Sequence, residues 1–349
     1  MNGSTRDRPG RRLLDTVNRQ VRLAARPVGM PRLRDWRFTN EAVPEPNPGE
    51  ILVKILYVSI DPAMRGWMND ARSYLPPVGL GEVMRASGVG RVLVSKHPGF
   101  AVDDFVSGIF GVQEYARSDG AGVVAVDPAI APLPVHLGAL GMTGMTAYFG
   151  LLDVGRPAPG QTVVVSAAAG AVGSVAGQIA KIMGCRAVGI AGGEAKCRYI
   201  VAELGFDAAV DYKAGDVRKA LRAHCPNGID VYFDNVGGEM LDAALACLAR
   251  RARVVICGAV SQYNSTVATR GPSNYMSLLV NRASMTGFLV FDYVARYPEA
   301  ARALAGWRAK GTMKSREEII VGLANFPEAL TRLFQGEHTG KLVLKVADP

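Results

Sequence analysis

The run Val163-Val-Val-Ser-Ala-Ala-Ala-Gly170-Ala-Val-Gly173-Ser-Val-Ala-Gly177 holds the residues with the plainest chemistry in this chain. An apolar strand enters a turn of small residues, and the turn opens a helix. The first backbone N–H groups of a helix have no partner within it and stand at the positive end of its dipole, which suits a pyrophosphate. The spacing is Ala167-x-x-Gly170-x-x-Gly173 rather than a full G-x-G-x-x-G. Small residues still let a diphosphate approach the backbone. Gly170, Ala171, Val172 and Gly173 are therefore the candidate diphosphate ligands.

A sheet that binds NAD presents Asp or Glu to the ribose diol about 20 residues after the glycines. Here the second strand, Arg186–Ile190, ends in Ala191-Gly192-Gly193, with Glu194 one residue beyond and Lys196 close behind. A missing carboxylate with a cation nearby favours a phosphorylated ribose, and so NADPH over NADH. Other chemistries lack their residues. No cysteine precedes Cys185, and neither His97 nor His136 has a partner at ligand spacing, so no zinc site reads from the sequence. No Ser-His-Asp order, nucleophile elbow or Walker sequence competes.

The elements that must position this turn follow from the rest of the pattern. Apolar runs recur at Ala187–Ile190, Ala208–Val210, Asp230–Phe233, Val254–Cys257 and Met285–Val290, each after a helical stretch. Strands alternating with helices describe a doubly wound parallel sheet, with the glycine turn at its first strand-to-helix junction. Before it, from Ile51 to about Asp127, short β-branched runs and glycines predict a mainly antiparallel β domain. The closing run Gly340–Val346 reads as a strand that returns to that domain, so the Rossmann unit is an insertion. Expected bounds are 1–17 for a basic tail, 18–138 and 312–349 for the β domain, and 139–311 for the nucleotide domain.

Composition bounds the rest. The chain has 349 residues, 49% of them apolar, enough to bury two cores. Gln161–Ala180 carries no charge and has the length of a membrane span, but three glycines interrupt it and strands and helices alternate after it. The net charge of +9 is concentrated: residues 1–37 carry +7 and the remainder +2. That distribution places a solvated basic tail on a nearly neutral body and argues against nucleic acid as a partner. Five cysteines without C-x-x-C spacing, and no apolar leader at the start, predict a reduced cytoplasmic protein.

With these motifs in hand, the chain resembles the zinc-independent medium-chain dehydrogenase/reductases. Within them it is most similar to the prostaglandin reductases, 2-alkenal reductases and bacterial curcumin reductases. The resemblance spans about Asn18 to Val346. It is carried by Ser59-Ile-Asp-Pro-Ala-Met-Arg65, Gly141-Met-Thr-Gly-Met-Thr-Ala-Tyr148, Ala167–Gly173, Tyr232-Phe-Asp-Asn-Val-Gly-Gly238, Cys257-Gly-Ala-Val-Ser-Gln-Tyr-Asn264 and Gly336-Glu-His-Thr-Gly-Lys341.

The resemblance implies a Rossmann domain inserted in a GroES-like β domain, NADP(H) as cofactor, a homodimer, and reduction of the C=C bond of enones or enals by hydride transfer to the β-carbon. A quinone oxidoreductase is the alternative. It implies that Lys196 and Tyr212 hold the 2′-phosphate, and that Asn235, Cys257, Gly258, Ala259, Ser261 and Tyr263 approach the cofactor at strand ends. It also implies that Phe288, Leu289 and Val290 face the nicotinamide and that His338 lies in a loop reaching the cofactor. Tyr263 matches the tyrosine that meets the enolate, as a neutral phenol at pH 7. Met64, Tyr74 and Met276 join Tyr263 as candidates for lining the substrate pocket. Two departures stand out: Ala63 where many relatives have tyrosine, which implies a wider pocket or a lost polar contact, and His338 where many have asparagine.

Overall fold

A computed structural model describes residues 17–349. The expected basic tail, apart from Val17, lies outside the described residues. The fold opens with β1 (Val17–Leu23) and β2 (Trp36–Ala42), an antiparallel pair. The run Ile51-Leu-Val-Lys-Ile-Leu-Tyr-Val-Ser59 forms β3, buried on both faces but for Lys54, as its β-branched content dictates. A five-residue helix, α1 (Ala63–Trp67), follows, then β4 (Ser87–Ser95), β5 (Phe105–Ile109), β6 (Tyr115–Ser118) and β7 (Val124–Ala125). These strands pair antiparallel around a core of Ile51, Val53, Ile55, Val92, Val106 and Phe326.

Helix α2 (Met142–Phe149) then leads into the second unit. It comprises β8 (Thr162–Val165), α3 (Ala171–Ile182), β9 (Arg186–Ala191), α4 (Glu194–Ala202), β10 (Ala208–Asp211), α5 (Val217–His224), β11 (Ile229–Asp234), α6 (Gly238–Leu245), β12 (Leu248–Ile256), α7 (Met276–Asn281), β13 (Ser284–Gly287) and α8 (Tyr297–Ala309). All six strands are parallel, in the order β10-β9-β8-β11-β12-β13. That is the doubly wound order, and its direction reverses between β8 and β11, where such sheets bind ligands. Alternation along β8 sends Val163 and Val165 into the core beside Phe149, Ile179 and Phe233, while Val164 joins Val188, Tyr232 and Leu245 on the opposite face.

The chain finishes in the β domain. Strand β14 (Glu317–Val321) lies parallel to β15 (Lys341–Lys345), which pairs antiparallel with β3, and α9 (Phe326–Gln335) covers them. Gln178 of α3 fixes this return: its amide donates to the Lys314 carbonyl at 2.9 Å and accepts the Lys314 N–H at 2.7 Å.

Two expected strands have different extents. The run ending at Cys257 closes a longer strand that starts at Leu248. The run Met285–Val290 divides, since β13 stops at Gly287 and the chain turns at Leu289. The reason is Phe288, whose ring is drawn inward against Phe233, centroids 6.4 Å apart, over the bare Cα of Gly150.

Candidate active site

The switch point carries the glycine turn. Ala167 takes a left-handed conformation, φ 49°, so that the chain can leave β8 and double back. The Ala168 N–H donates to the Ile190 carbonyl at 3.0 Å and the Gly170 N–H to the Ala167 carbonyl at 2.9 Å. A Cβ on Gly173 would stand 2.3 Å from that same carbonyl oxygen, which explains the glycine there. No side chain caps the N-terminus of α3. The N–H groups of Ala171, Val172 and Gly173 are therefore open to an anionic ligand, whereas that of Gly170, expected to join them, is spent on Ala167. The loop before β15 crosses onto this turn, with the Gly340 N–H donating to the Ala169 carbonyl at 2.7 Å.

Lys196 and Tyr212, the residues expected at a phosphorylated sugar, lie near the end of β9. Lys196 of α4 is half-buried and its ammonium donates to the Gly336 carbonyl at 2.7 Å. Burial pulls its pKa down, with Lys213 adding to the effect and Glu318 opposing it. The ring of Tyr212 packs on Gly192, where a Cβ would stand 2.8 Å from its hydroxyl, so this side chain is held toward the end of β9. Glu194 turns outward to Arg198 at 3.3 Å. A carboxylate that sequence reasoning missed, Asp211 at the end of β10, is occupied by the N–H groups of Gly193 at 2.8 Å and Lys213 at 2.9 Å. No acidic group is left facing Lys196 from these positions. His338 lies in the crossing loop with its Nδ1 buried and unpartnered. Burial, then Lys196 and Lys341, push its pKa down to about 4, so it is neutral near pH 7.

The end of β11 is organised by a buried carboxylate the sequence did not single out. Asp234 is 0% exposed. It accepts the Ser166 hydroxyl at 2.9 Å, the Tyr232 hydroxyl at 3.1 Å and the N–H groups of Val236 at 3.0 Å and Gly237 at 3.1 Å. These bonds pin two left-handed glycines, Gly237 and Gly238, at the start of α6. Burial raises the Asp234 pKa and the same donors oppose the rise. Asn235 is held beside it, its amide donating to the Ser166 carbonyl at 2.7 Å. The backbone N–H groups of Cys257 and Gly258 both donate to the Asp234 carbonyl, at 2.9 and 3.0 Å. The Cys257 thiol is pushed up to about 12 by burial, then by Asp234, and stays protonated. Ser261 spends its hydroxyl on the Val236 carbonyl at 2.6 Å.

Tyr263 ends this loop. Its hydroxyl oxygen accepts the Ala259 N–H at 3.2 Å and approaches the bare Gly258, where a Cβ would stand 3.0 Å away. Burial raises its pKa. The phenol is therefore neutral at pH 7 and its O–H proton is uncommitted to that bond, so it can donate outward. The Leu289 and Val290 backbone follows β13, with the Val290 carbonyl accepting the Tyr297 hydroxyl at 3.1 Å.

The three further pocket candidates separate. Tyr74 is 45% exposed, and its ring lies 6.1 Å from that of Phe291, which brings the β domain against the nucleotide domain beside the Val290 segment. Met64 is 0% exposed and packs in the β-domain core, so its side chain does not line an open pocket; on a helix of only five residues the sequence gives no reliable face. Met276 is exposed at the start of α7, which packs on β12 toward the outer edge of the sheet. Among the described residues no three His, Cys, Asp or Glu side chains are grouped to hold a metal. No helix among them is long and apolar enough to cross a membrane.

Comparison with known proteins shows what the chain is similar to. Residues 19–126 match a family model described as the N-terminal domain of oxidoreductase, and residues 171–306 match one described as zinc-binding dehydrogenase. The chain is 48% identical to the Bacillus subtilis protein YfmJ, over 95% of this chain and 98% of that one. It is 42% identical to the NADPH-dependent curcumin reductase of Escherichia coli, over 95% and 97%, and 40% identical to the NADP-dependent 2-alkenal reductase of Nicotiana tabacum, over 95% and 98%. The crystal structure of CurA from Vibrio vulnificus in complex with NADPH superposes with a TM-score of 0.90 at 44% identity, covering 95% of this chain and 100% of that one.

Proposed function

Since the chain belongs to the medium-chain dehydrogenase/reductases, in the zinc-independent branch of the curcumin, 2-alkenal and prostaglandin reductases, we propose that it reduces the C=C bond of α,β-unsaturated ketones or aldehydes with NADPH. The observation that carries this reading is the Tyr263 hydroxyl, oriented by the Ala259 N–H, at the strand ends that also hold the uncapped glycine turn and Lys196.

The crevice residues fit the cofactor. The N–H groups of Ala171 to Gly173 would hold its diphosphate, with Gly170 leaving room for it, Lys196 and Tyr212 would hold its 2′-phosphate, and Asn235 with the Leu289–Val290 backbone would border its nicotinamide. Bound there, NADPH supplies the hydride that adds to the β-carbon. The chain supplies orientation, since two flat molecules must meet at a fixed face. Tyr263 supplies a hydrogen bond to the carbonyl oxygen, where negative charge develops, and its donor is in place before reaction. Ala63, small where many relatives carry tyrosine, supports a reading in which bulky or extended enones are accepted. A proton then joins the α-carbon, so one hydride and one proton account for the saturated product.

We assign the chain to the cytoplasm, where its five free thiols stay reduced. We assign it to a homodimer formed at β13. That strand is exposed at the sheet edge, and Leu279 and Val280 of the neighbouring α7 are exposed too. A second copy would extend the sheet and cover this edge.

The test is NADPH oxidation with 3-nonen-2-one and with a benzoquinone, in wild type and in Tyr263→Phe. The expected outcome is turnover of the enone, lowered about 100-fold in the variant with NADPH affinity unchanged. Turnover of the quinone alone would replace the reading by quinone reduction, and full activity in the variant would remove Tyr263 from the chemistry.

A further inference from the structure

Arg65 of α1 is 4% exposed, and every acceptor it reaches is neutral. Its Nε donates to the Gly29 carbonyl at 3.1 Å and to Asn264 Oδ1 at 3.1 Å, its Nη2 to the Pro27 carbonyl at 3.0 Å, and its Nη1 to the Asn69 side chain. Burying a guanidinium without a bonded carboxylate is costly, and such a group persists where its geometry is useful. Three of these acceptors belong to the β domain. The fourth, Asn264, belongs to the nucleotide domain and directly follows Tyr263.

The contact around it is continuous. The Asn264 amide nitrogen lies 3.5 Å from Met30 Sδ. A Cβ on Gly29 would stand 3.4 Å from Thr266 Cγ2 and 3.8 Å from the Asn264 carbonyl, so residues 264–266 rest on the Gly29 turn. Among the described residues the Tyr263 hydroxyl has its hydrogen bond within its own loop, from the Ala259 N–H. A loop end with so short an internal brace needs an outside anchor to hold its terminal side chain within a fraction of an ångström.

We propose that Arg65 is a positioning residue: through Asn264 it anchors the Tyr263 turn of one domain to the substrate-bearing wall of the other. Arg65 itself does not touch the reacting atoms. Its planar fork holds three segments at once, Pro27–Gly29, Asn69 and Asn264, which a lysine ammonium does not reproduce. The proposal rests on Tyr263 being the donor, so its test needs a readout that does not depend on turnover.

The experiment compares wild type, Asn264→Leu, Asn264→Asp, Tyr263→Phe and the Tyr263→Phe/Asn264→Leu double variant. Amide hydrogen exchange over residues 259–267 is the first readout, in the protein alone. N264L is expected to speed exchange there about tenfold or more, and N264D, whose carboxylate still accepts from Arg65, to restore protection. Steady-state kinetics with NADPH and 3-nonen-2-one is the second. N264L is expected to lower kcat about tenfold with KM for NADPH within about twofold of wild type, and N264D to recover most of that loss. The double variant is expected within about twofold of Tyr263→Phe, because the anchor acts through the phenol. Unchanged exchange in N264L overturns the anchor whatever the activity. Additive losses in the double variant overturn its action on Tyr263. Faster exchange in N264L with no enone turnover even in wild type leaves the anchor standing and refutes the proposed function instead.

Discussion

His338 shows how one substituted side chain takes its properties from its neighbours. It sits in the loop that crosses onto the glycine turn, with Lys196 and Lys341 near it, Glu318 opposing them, and its Nδ1 unpartnered. Its pKa, about 4, lies below the ordinary histidine value near 6.5. Between those values the unfolded chain binds the proton and the folded chain does not, so stability falls as pH drops from about 6.5 toward 4. Denaturant unfolding at pH 7 and pH 5 should therefore show a pH-dependent loss that is smaller by about 2 kcal/mol in His338→Asn than in wild type. Equal losses would place His338 in solvent. The sequence marks this histidine as a departure and places Lys341 three residues after it, but carries nothing about Lys196, which approaches from a distant part of the chain. Asp234, Asp211 and Arg65 were missed for the same reason. What the sequence does not carry is their distant partners, Ser166 for Asp234, Gly193 for Asp211, and Gly29 and Asn264 for Arg65; the N–H groups of Val236, Gly237 and Lys213 lie only two or three residues away.

The strand–turn–helix from β8 into α3 is the element most legible in the sequence. Its apolar run, small-residue turn and helical spacing each have one physical reading. The same holds for β9, β10 and β11, whose short apolar runs are bounded by turns. β13 was less legible, because Phe288 is apolar yet leaves the strand to fill the space over Gly150. The close packing of the turn makes a direct prediction. A methyl group at Gly173 meets backbone of Ala167 at 2.3 Å and of Ala168 at 2.9 Å, neither of which can yield as a flexible side chain would. Gly173→Ala is expected to destabilise the protein by about 2 kcal/mol and to weaken NADPH binding at least tenfold, read by thermal unfolding and calorimetry. A variant with unchanged affinity would mean that the diphosphate does not sit on this turn.

At the scale of the molecule, two domains meet through a few ties of different kinds: Gln178 to Lys314, Gly340 to Ala169, Lys196 to Gly336, Tyr74 to Phe291 and Arg65 to Asn264. Together they hold the strand ends of the nucleotide domain against the β domain. The return of the last strand to β3 was readable from its distance to the Rossmann repeats, whereas the ties were not, since each joins residues far apart in the chain. The most direct measurement supplies NADPH deuterated at the transferring position of the nicotinamide, adds 3-nonen-2-one, and locates the label in the product by mass spectrometry and NMR. The account predicts a saturated ketone with deuterium on the β-carbon. Deuterium on the carbonyl carbon of an alcohol, or no transfer at all, would contradict it.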